Sequence, residues 1–273
     1  MKKLMSLLLA LTMLFALAAC SKTDEKTPAN GDDENKPETM TYAVEKGSAG
    51  EEVAMEKGYK YNALSAQADA LMEVNSGTSD AAIIDLLMAL AMTGEGTSYP
   101  NLKYTDKLTS EEYGVGCRKG SDLAAYINNV FAETYANGSM IELADTYGIK
   151  DAILEQAAPA ADPAEPAADG DVAYIKEKGT LIVGMTEFEP MDYKNEAGDW
   201  IGFDADMAKI VAEKLGVQVQ FVVIDWDNKL MELNSKNIDV AWNGMTLTDA
   251  VKESMECTNP YCDNAQVVVV PAE

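Results

Sequence analysis

The stretch Leu71–Asp85, LMEVNSGTSDAAIID, has a counterpart at Leu230–Gly244, LMELNSKNIDVAWNG. Aligned without gaps, the two share Leu-Met-Glu, then Asn-Ser, an Asp four places later and an Ala two after that. Each reads as the end of a helix, a polar turn and a short apolar strand. The match predicts a duplicated α/β unit, with Asp85 and Gly244 at equivalent strand ends.

The same grammar extends outward from both copies. In the second half, Thr180–Met185 reads as a strand and Asp204–Leu215 as a helix. Met207, Ile210, Val211 and Leu215 share one face of that helix, and Gly216 stops it. Val217–Ile224 is a strand, Asp227–Asn234 a helix and Ile238–Trp242 a strand. The first half gives strand Met40–Val44, helix Ser48–Glu56, strand Tyr59–Ala63, helix Ala66–Val74, strand Ala81–Ile84 and helix Leu86–Met92. This alternation predicts an α/β fold of two lobes, each a mostly parallel sheet covered on both faces. Open α/β sheets bind ligands outside the carboxyl ends of their strands, so Asp85 and Gly244 are expected to border a shared crevice.

The 273 residues suffice for two such lobes. A formal net charge of -25, with 46 acidic against 21 basic residues, excludes a basic nucleic-acid footprint and attraction to anionic lipid headgroups. There is no histidine, and Arg118 is the only arginine. The acidity fits a secreted domain kept soluble by its charge. The opening MKKLMSLLLALTMLFALAAC, residues 1–20, has a basic start and an apolar run too short to span a membrane, as an export signal does. Its end resembles the bacterial lipobox, which makes Cys20 the expected lipidation site. Residues 21–39 are polar and expected to form a disordered tether. The remaining Cys117, Cys257 and Cys262 match no redox or zinc spacing. Pairing of Cys257 with Cys262 and free thiols both stay open. A second low-complexity stretch, EQAAPAADPAEPAADGD at Glu155–Asp171, lies in mid-chain.

GFDADMAKIVAEKLG (residues 202–216) and WNGMTLT (242–248) resemble the N-terminal half of a family 3 extracellular solute-binding protein. That family supplies the polar amino-acid-binding component of ABC importers. YAVEKGSAGEEVA (42–54), GTSDAAIIDLLMALAM (77–92) and the stretch 111–149 resemble its C-terminal half. The resemblance implies a type II periplasmic-binding-protein-like fold, two α/β lobes joined by a hinge. Because the halves come in reversed order, it also implies a circularly permuted chain. The implied divisions are a lipoprotein signal peptide at 1–20, the tether at 21–39 and lobe 2 at 40–112. Residues 113–157 supply a hinge strand and the C-terminal helices of lobe 1. An Ala/Pro/Asp linker at 158–171 joins the ancestral ends, and 172–273 forms the main part of lobe 1, ending in a hinge strand. Cutting one of two hinge segments leaves an expected single covalent crossing near Tyr113–Arg118.

On the same resemblance, Asp85 pairs with a ligand's α-ammonium; its alternative role is N-cap of the helix Leu86–Met92. The Gly244 carbonyl is a further ammonium acceptor, and Thr246 donates to the ligand carboxylate. Ser48 and Ala49 open a helix whose free N–H groups suit an anion. Phe188 packs on the ligand's aliphatic part, Trp242 and Trp226 are candidate walls, and core packing is the other role for Trp226. Met185, Glu187 and Asn243 sit where selectivity is set. One departure stands out: Val251 occupies the position of the family's carboxylate-clamping arginine. Losing one partner of a desolvated pair costs about 3–5 kcal/mol. Lys252 lies next to it but roughly 100° around the helix.

The implied function is a lipid-anchored receptor on the extracellular face of the cell membrane. It is expected as a monomer, closing on a small polar solute, an amino acid by the resemblance, and serving an ABC permease and ATPase. A ligand-sensing module without transport is the alternative. A dehydratase-like enzyme with Glu187 or Glu189 as acid is a further one, although no histidine base or nucleophile turn accompanies them. Neither catalysis nor a cofactor nor a metal is expected.

Overall fold

The structure, a computed structural model, describes residues 37, 39–161 and 165–272. The expected signal peptide with Cys20, the tether up to residue 36 and linker residues 162–164 lie outside the described residues.

The described chain runs β1 (Thr41–Glu45), α1 (Ala49–Lys57), β2 (Lys60–Leu64), α2 (Gln67–Ser76), β3 (Ala81–Asp85), α3 (Leu86–Met92), β4 (Leu102–Lys107) and β5 (Glu111–Cys117). Helices α4 (Leu123–Ala136), α5 (Ser139–Thr146) and α6 (Asp171–Lys178) follow. Then come β6 (Thr180–Met185), β7 (Tyr193–Lys194), β8 (Trp200–Ile201), α7 (Phe203–Leu215), β9 (Gln218–Val223), α8 (Lys229–Asn234) and β10 (Val240–Thr246). The chain closes with α9 (Asp249–Ser254), β11 (Glu256–Cys257), β12 (Cys262–Asn264) and β13 (Gln266–Pro271). The expected alternation is therefore present, and α7 ends at Gly216 as its sequence indicates.

Two main sheets share one layout. The first is ordered β2-β1-β3-β13-β4 and the second β9-β6-β10-β5-β11, with β12 also on β5. In each, three parallel strands carry an antiparallel fourth. The fold is thus mixed α/β, as expected. Central strands such as β3 are buried along their whole length, which is why AAIID reads as a continuous apolar run rather than an alternation.

The fourth strand of each sheet arrives from the other half of the chain. The polypeptide passes between sheets twice: at 108–110, from β4 to β5, and at Ala265, from β12 to β13. The expectation of a single crossing is corrected by this topology. The reason lies in Val267–Val269, an apolar run that is buried where it pairs with β3 on one side and β4 on the other.

The largest apolar cluster runs through both sheets, from Ala82 and Ile84 of β3 to Val183 of β6 and Val240 of β10. Phe131 of α4 packs edge-on against Trp242 at 5.7 Å, and Phe203 of α7 stacks on Tyr261 at 5.9 Å. Truncating one such ring to alanine costs about 3–5 kcal/mol. Arg118, at the end of β5, pins the chain where it re-enters after the linker. Its Nε donates to both Asp171 oxygens at 3.1 and 3.0 Å, and its Nη1 to the Ile238 carbonyl at 2.8 Å. Asp122 adds to this by accepting from the backbone N–H groups of Ala167 and Val172. Among the described residues no helix is long and apolar enough to cross a membrane.

Candidate functional site

The strands β1, β3 and β10 point their carboxyl ends at one another from different sheets. Between them lies a narrow cavity of about 40 Å³ lined by Glu45, Ser48, Asp85, Lys229, Gly244 and Thr246, among others. Ala49, Glu52, Thr246 and Thr248 also line a larger groove of about 460 Å³ beside the crossing segments, which takes in Glu111 and Lys252.

Close approach of the two sides accounts for the narrowness. Gly47 has φ +73°, and a Cβ there would stand 2.5 Å from the Asp227 Cα. Beside it, Lys46 pairs with Asp227 at 2.9 Å across the crevice. Lys229 reaches over from the α8 start to donate to the Gly47 carbonyl at 2.8 Å and the Trp226 carbonyl at 3.2 Å, its ammonium 5.0 Å from the Trp226 ring centre.

Asp85 is 4% exposed and holds the inner end. Its Oδ1 accepts from the Tyr113 hydroxyl at 2.6 Å, from Gln266 Nε2 at 3.0 Å and from Asn264 Nδ2. Its Oδ2 accepts from Gln67 Nε2, whose Oε1 takes the Asp85 N–H at 2.9 Å. Burial, aided by the charge of Glu111, pushes its pKa up to about 7 despite these bonds. The position is the N-cap of α3, but the side chain makes no capping bond.

Glu45, the last residue of β1, is 2% exposed, and its Oε1 has no hydrogen-bond partner. Burial raises its pKa to about 8; Asp85 adds to the rise, while Thr186, Lys229 and Gln67 oppose it. The Lys229 ammonium is held below its usual range by burial, against the pull of Glu45 and Asp227.

A buried acidic scaffold shapes the opposite wall. Gly244 has φ +54°, and a Cβ would lie 2.6 Å from Phe188 Cε1 and 3.0 Å from the Tyr113 ring. The pairing of β10 with β5 shifts register here. The Gly244 N–H donates to Asp204 Oδ2 at 2.6 Å, and Tyr261 OH donates to the same carboxylate. Burial raises the Asp204 pKa to about 7. Asn243 accepts from the Thr186 N–H and hydroxyl and donates to Asp192 at 2.8 Å.

Of the residues singled out from sequence, Ser48, Ala49, Asp85, Trp226, Asn243, Gly244, Thr246 and Val251 line this one cavity. Lys252 is exposed and lines the outer groove. Trp242 does not wall the cavity; it lies in the core against Phe131. Met185 is fully buried, Phe188 backs Gly244 edge-on to Tyr113, and Glu187 is exposed outside the cavity wall. Cys117, Cys257 and Cys262 are free thiols. Sequence reasoning missed Glu45, Gln67, Tyr113, Glu111 and Lys229. For Glu45 a signal existed: it ends an apolar strand just as Asp85 does. Gln67 meets Asp85 where α2 packs on β3, and Tyr113, Glu111 and Lys229 become neighbours through the crossing strands and closure. Among the described residues no cluster of three or more His, Cys, Asp or Glu is placed to hold a metal. The arrangement sets two buried carboxyl groups, Glu45 and Asp85, at neighbouring strand ends on one cavity.

Part of the chain is similar to known proteins. Residues 181–273 match the family model of bacterial extracellular solute-binding proteins, family 3. The L-cystine-binding protein TcyJ of Escherichia coli (strain K12) is 34% identical over 94 residues, 34% of this chain and 35% of that protein. Cyclohexadienyl dehydratase of Pseudomonas aeruginosa is 35% identical over 88 residues, 32% of this chain and 33% of the enzyme. Among solved structures, the arginine-bound form of domain 1 from TmArgBP is 33% identical with a TM-score of 0.32, over 36% of this chain and 84% of that one. The chain spans about a third of the length of the curated relatives it matches.

Proposed function

We propose, from the premise that residues 181–273 are those of a family 3 solute-binding protein, that the chain is a two-lobe receptor for a small, polar, ammonium-bearing solute. The observation that carries the reading is the shared cavity: Asp85 from the first sheet and Gly244–Thr246 from the second line it together. Hinge closure over a solute buries its polar contacts and strengthens them. Lys46–Asp227 and Lys229–Gly47 are contacts of such a closed form. Lipid anchoring at Cys20 and delivery to an ABC permease and ATPase belong to the same reading. So does the reversed order of the lobes, which is supported by the common sheet layout and by the linker re-entering at Asp171.

Thermal-shift titration of the whole chain against amino acids and simple amines tests the proposal. At least one solute is expected to raise the melting temperature, with the shift abolished in Asp85→Ala. A flat response across the panel overturns it. Mass spectrometry of the membrane-extracted protein checks for a diacylglyceryl group at Cys20, and gel filtration for a monomer.

A further inference from the structure

At and beside the places that the resemblance assigns to a ligand's carboxylate, protein carboxylates already take up hydrogen-bond donors. At the start of α1, the Gly47 N–H donates to Glu51 Oε2 at 2.7 Å, and the Ser48 hydroxyl accepts from the Glu51 N–H at 3.2 Å. The Thr246 hydroxyl donates to Glu111 Oε2 at 3.0 Å. Val251 brings only methyl groups to the cavity wall. The one cation lining the cavity, Lys229, directs two of its three protons at carbonyl oxygens and lies among Glu45, Asp227, Glu52 and Asp225.

Acceptors for a positive group, by contrast, are in surplus. The partnerless Oε1 of Glu45 is buried beside the cavity that Asp85 also lines. In the adjoining groove Glu52, Glu56, Glu111 and Asp263 face a single lysine, Lys252. Ala49, Val53 and Leu247 line the same groove with apolar surface. Like charges brought together in a site exclude an anion and favour a cation that relieves them.

We infer that the solute is an amine without a carboxylate, an alkyl diamine or longer polyamine: one ammonium sits between Asp85 and Glu45, and its methylene chain runs along Ala49, Val53 and Leu247 toward the outer acids. This deepens the receptor reading and rests on it. Glu45 and Asp85 supply the inner pair of carboxyl groups, which an entering ammonium favours in their ionised form. Glu52, common to both cavities, bridges to the outer acids, and the alkyl segment buries against aliphatic side chains.

Matched pairs separate the alternatives: cadaverine against lysine, putrescine against ornithine, agmatine against arginine, each titrated calorimetrically into the whole chain. Each amine is expected to bind at least about tenfold more tightly than its carboxylated partner, since like-charge juxtaposition opposes the added anion. Glu45→Gln is expected to weaken cadaverine binding by about tenfold or more with an unchanged circular dichroism spectrum. Val251→Arg, which adds a guanidinium to the cavity wall, is expected to shift preference toward lysine. Amino acids binding as tightly as their amines, or more so, overturn the inference while the receptor reading stands. Binding by none of the six compounds and by no other amino acid overturns both. Unchanged cadaverine affinity in Glu45→Gln sinks the inner ammonium placement.

Discussion

The Tyr113 hydroxyl donates to Asp85 Oδ1 across 2.6 Å, linking the second sheet to a strand end of the first. Both groups are buried, so the bond has no water to replace it. Tyr113→Phe is expected to destabilise the chain by about 1–3 kcal/mol, the usual result of leaving one buried polar partner. Urea denaturation followed by tryptophan fluorescence measures it. A change below the error of the midpoint would mean that the other donors to Asp85 carry the whole load.

Stability should fall as pH rises through neutrality. Glu45, with a folded pKa near 8, and Asp85 and Asp204, near 7, all lie above the ordinary carboxyl range because of burial. Between about pH 4, where free carboxyls ionise, and pH 8, the folded chain keeps protons that the unfolded chain has released. The protonated form is thus most stable at the acidic end of that window, and the advantage is lost as pH climbs past the folded values. At about 1.4 kcal/mol per pKa unit, the loss between about pH 5.5 and 8 should exceed about 2 kcal/mol. Calorimetry at both values, repeated with Glu45→Gln to flatten the upper part of the curve, checks the sign.

Gly47→Ala should hold the crevice open. The left-handed backbone costs a side chain about 1–2 kcal/mol, and the added methyl meets the Asp227 backbone. The radius of gyration from X-ray scattering is expected to rise while secondary structure stays the same. An unchanged radius would show that the Gly47–Asp227 approach is not what sets closure.

Arg118→Ala is expected to cost about 3–5 kcal/mol by stranding Asp171 and part of the Asp239 pairing. Arg118→Lys should recover only part of this, because an ammonium lacks the planar fork. Chemical denaturation of the two variants side by side gives the comparison.

The repeat LMEVNSGTSDAAIID against LMELNSKNIDVAWNG located two opposing walls because strand ends and the turns before them are written in local sequence. Trp242 shows where that legibility stops. It lies two residues before Gly244 on the same strand, and only the position of Phe131 on α4 decides that its ring belongs to the core. Lys229 reads as an ordinary helical lysine; its closeness to Gly47 spans a sequence separation of 182 and depends on how far the crevice has shut. The two crossings were hidden for a related reason, since QVVVV carries no mark of which sheet will receive it.

The place of β13 inside the first sheet has a consequence for biosynthesis. As the polypeptide leaves the ribosome, β1 to β4 are made early, yet β3 and β4 are bridged only by residues 266–271. Until that late segment emerges, the first sheet has exposed edges and an apolar seam. Its assembly therefore waits until the last strand of the sheet has been made.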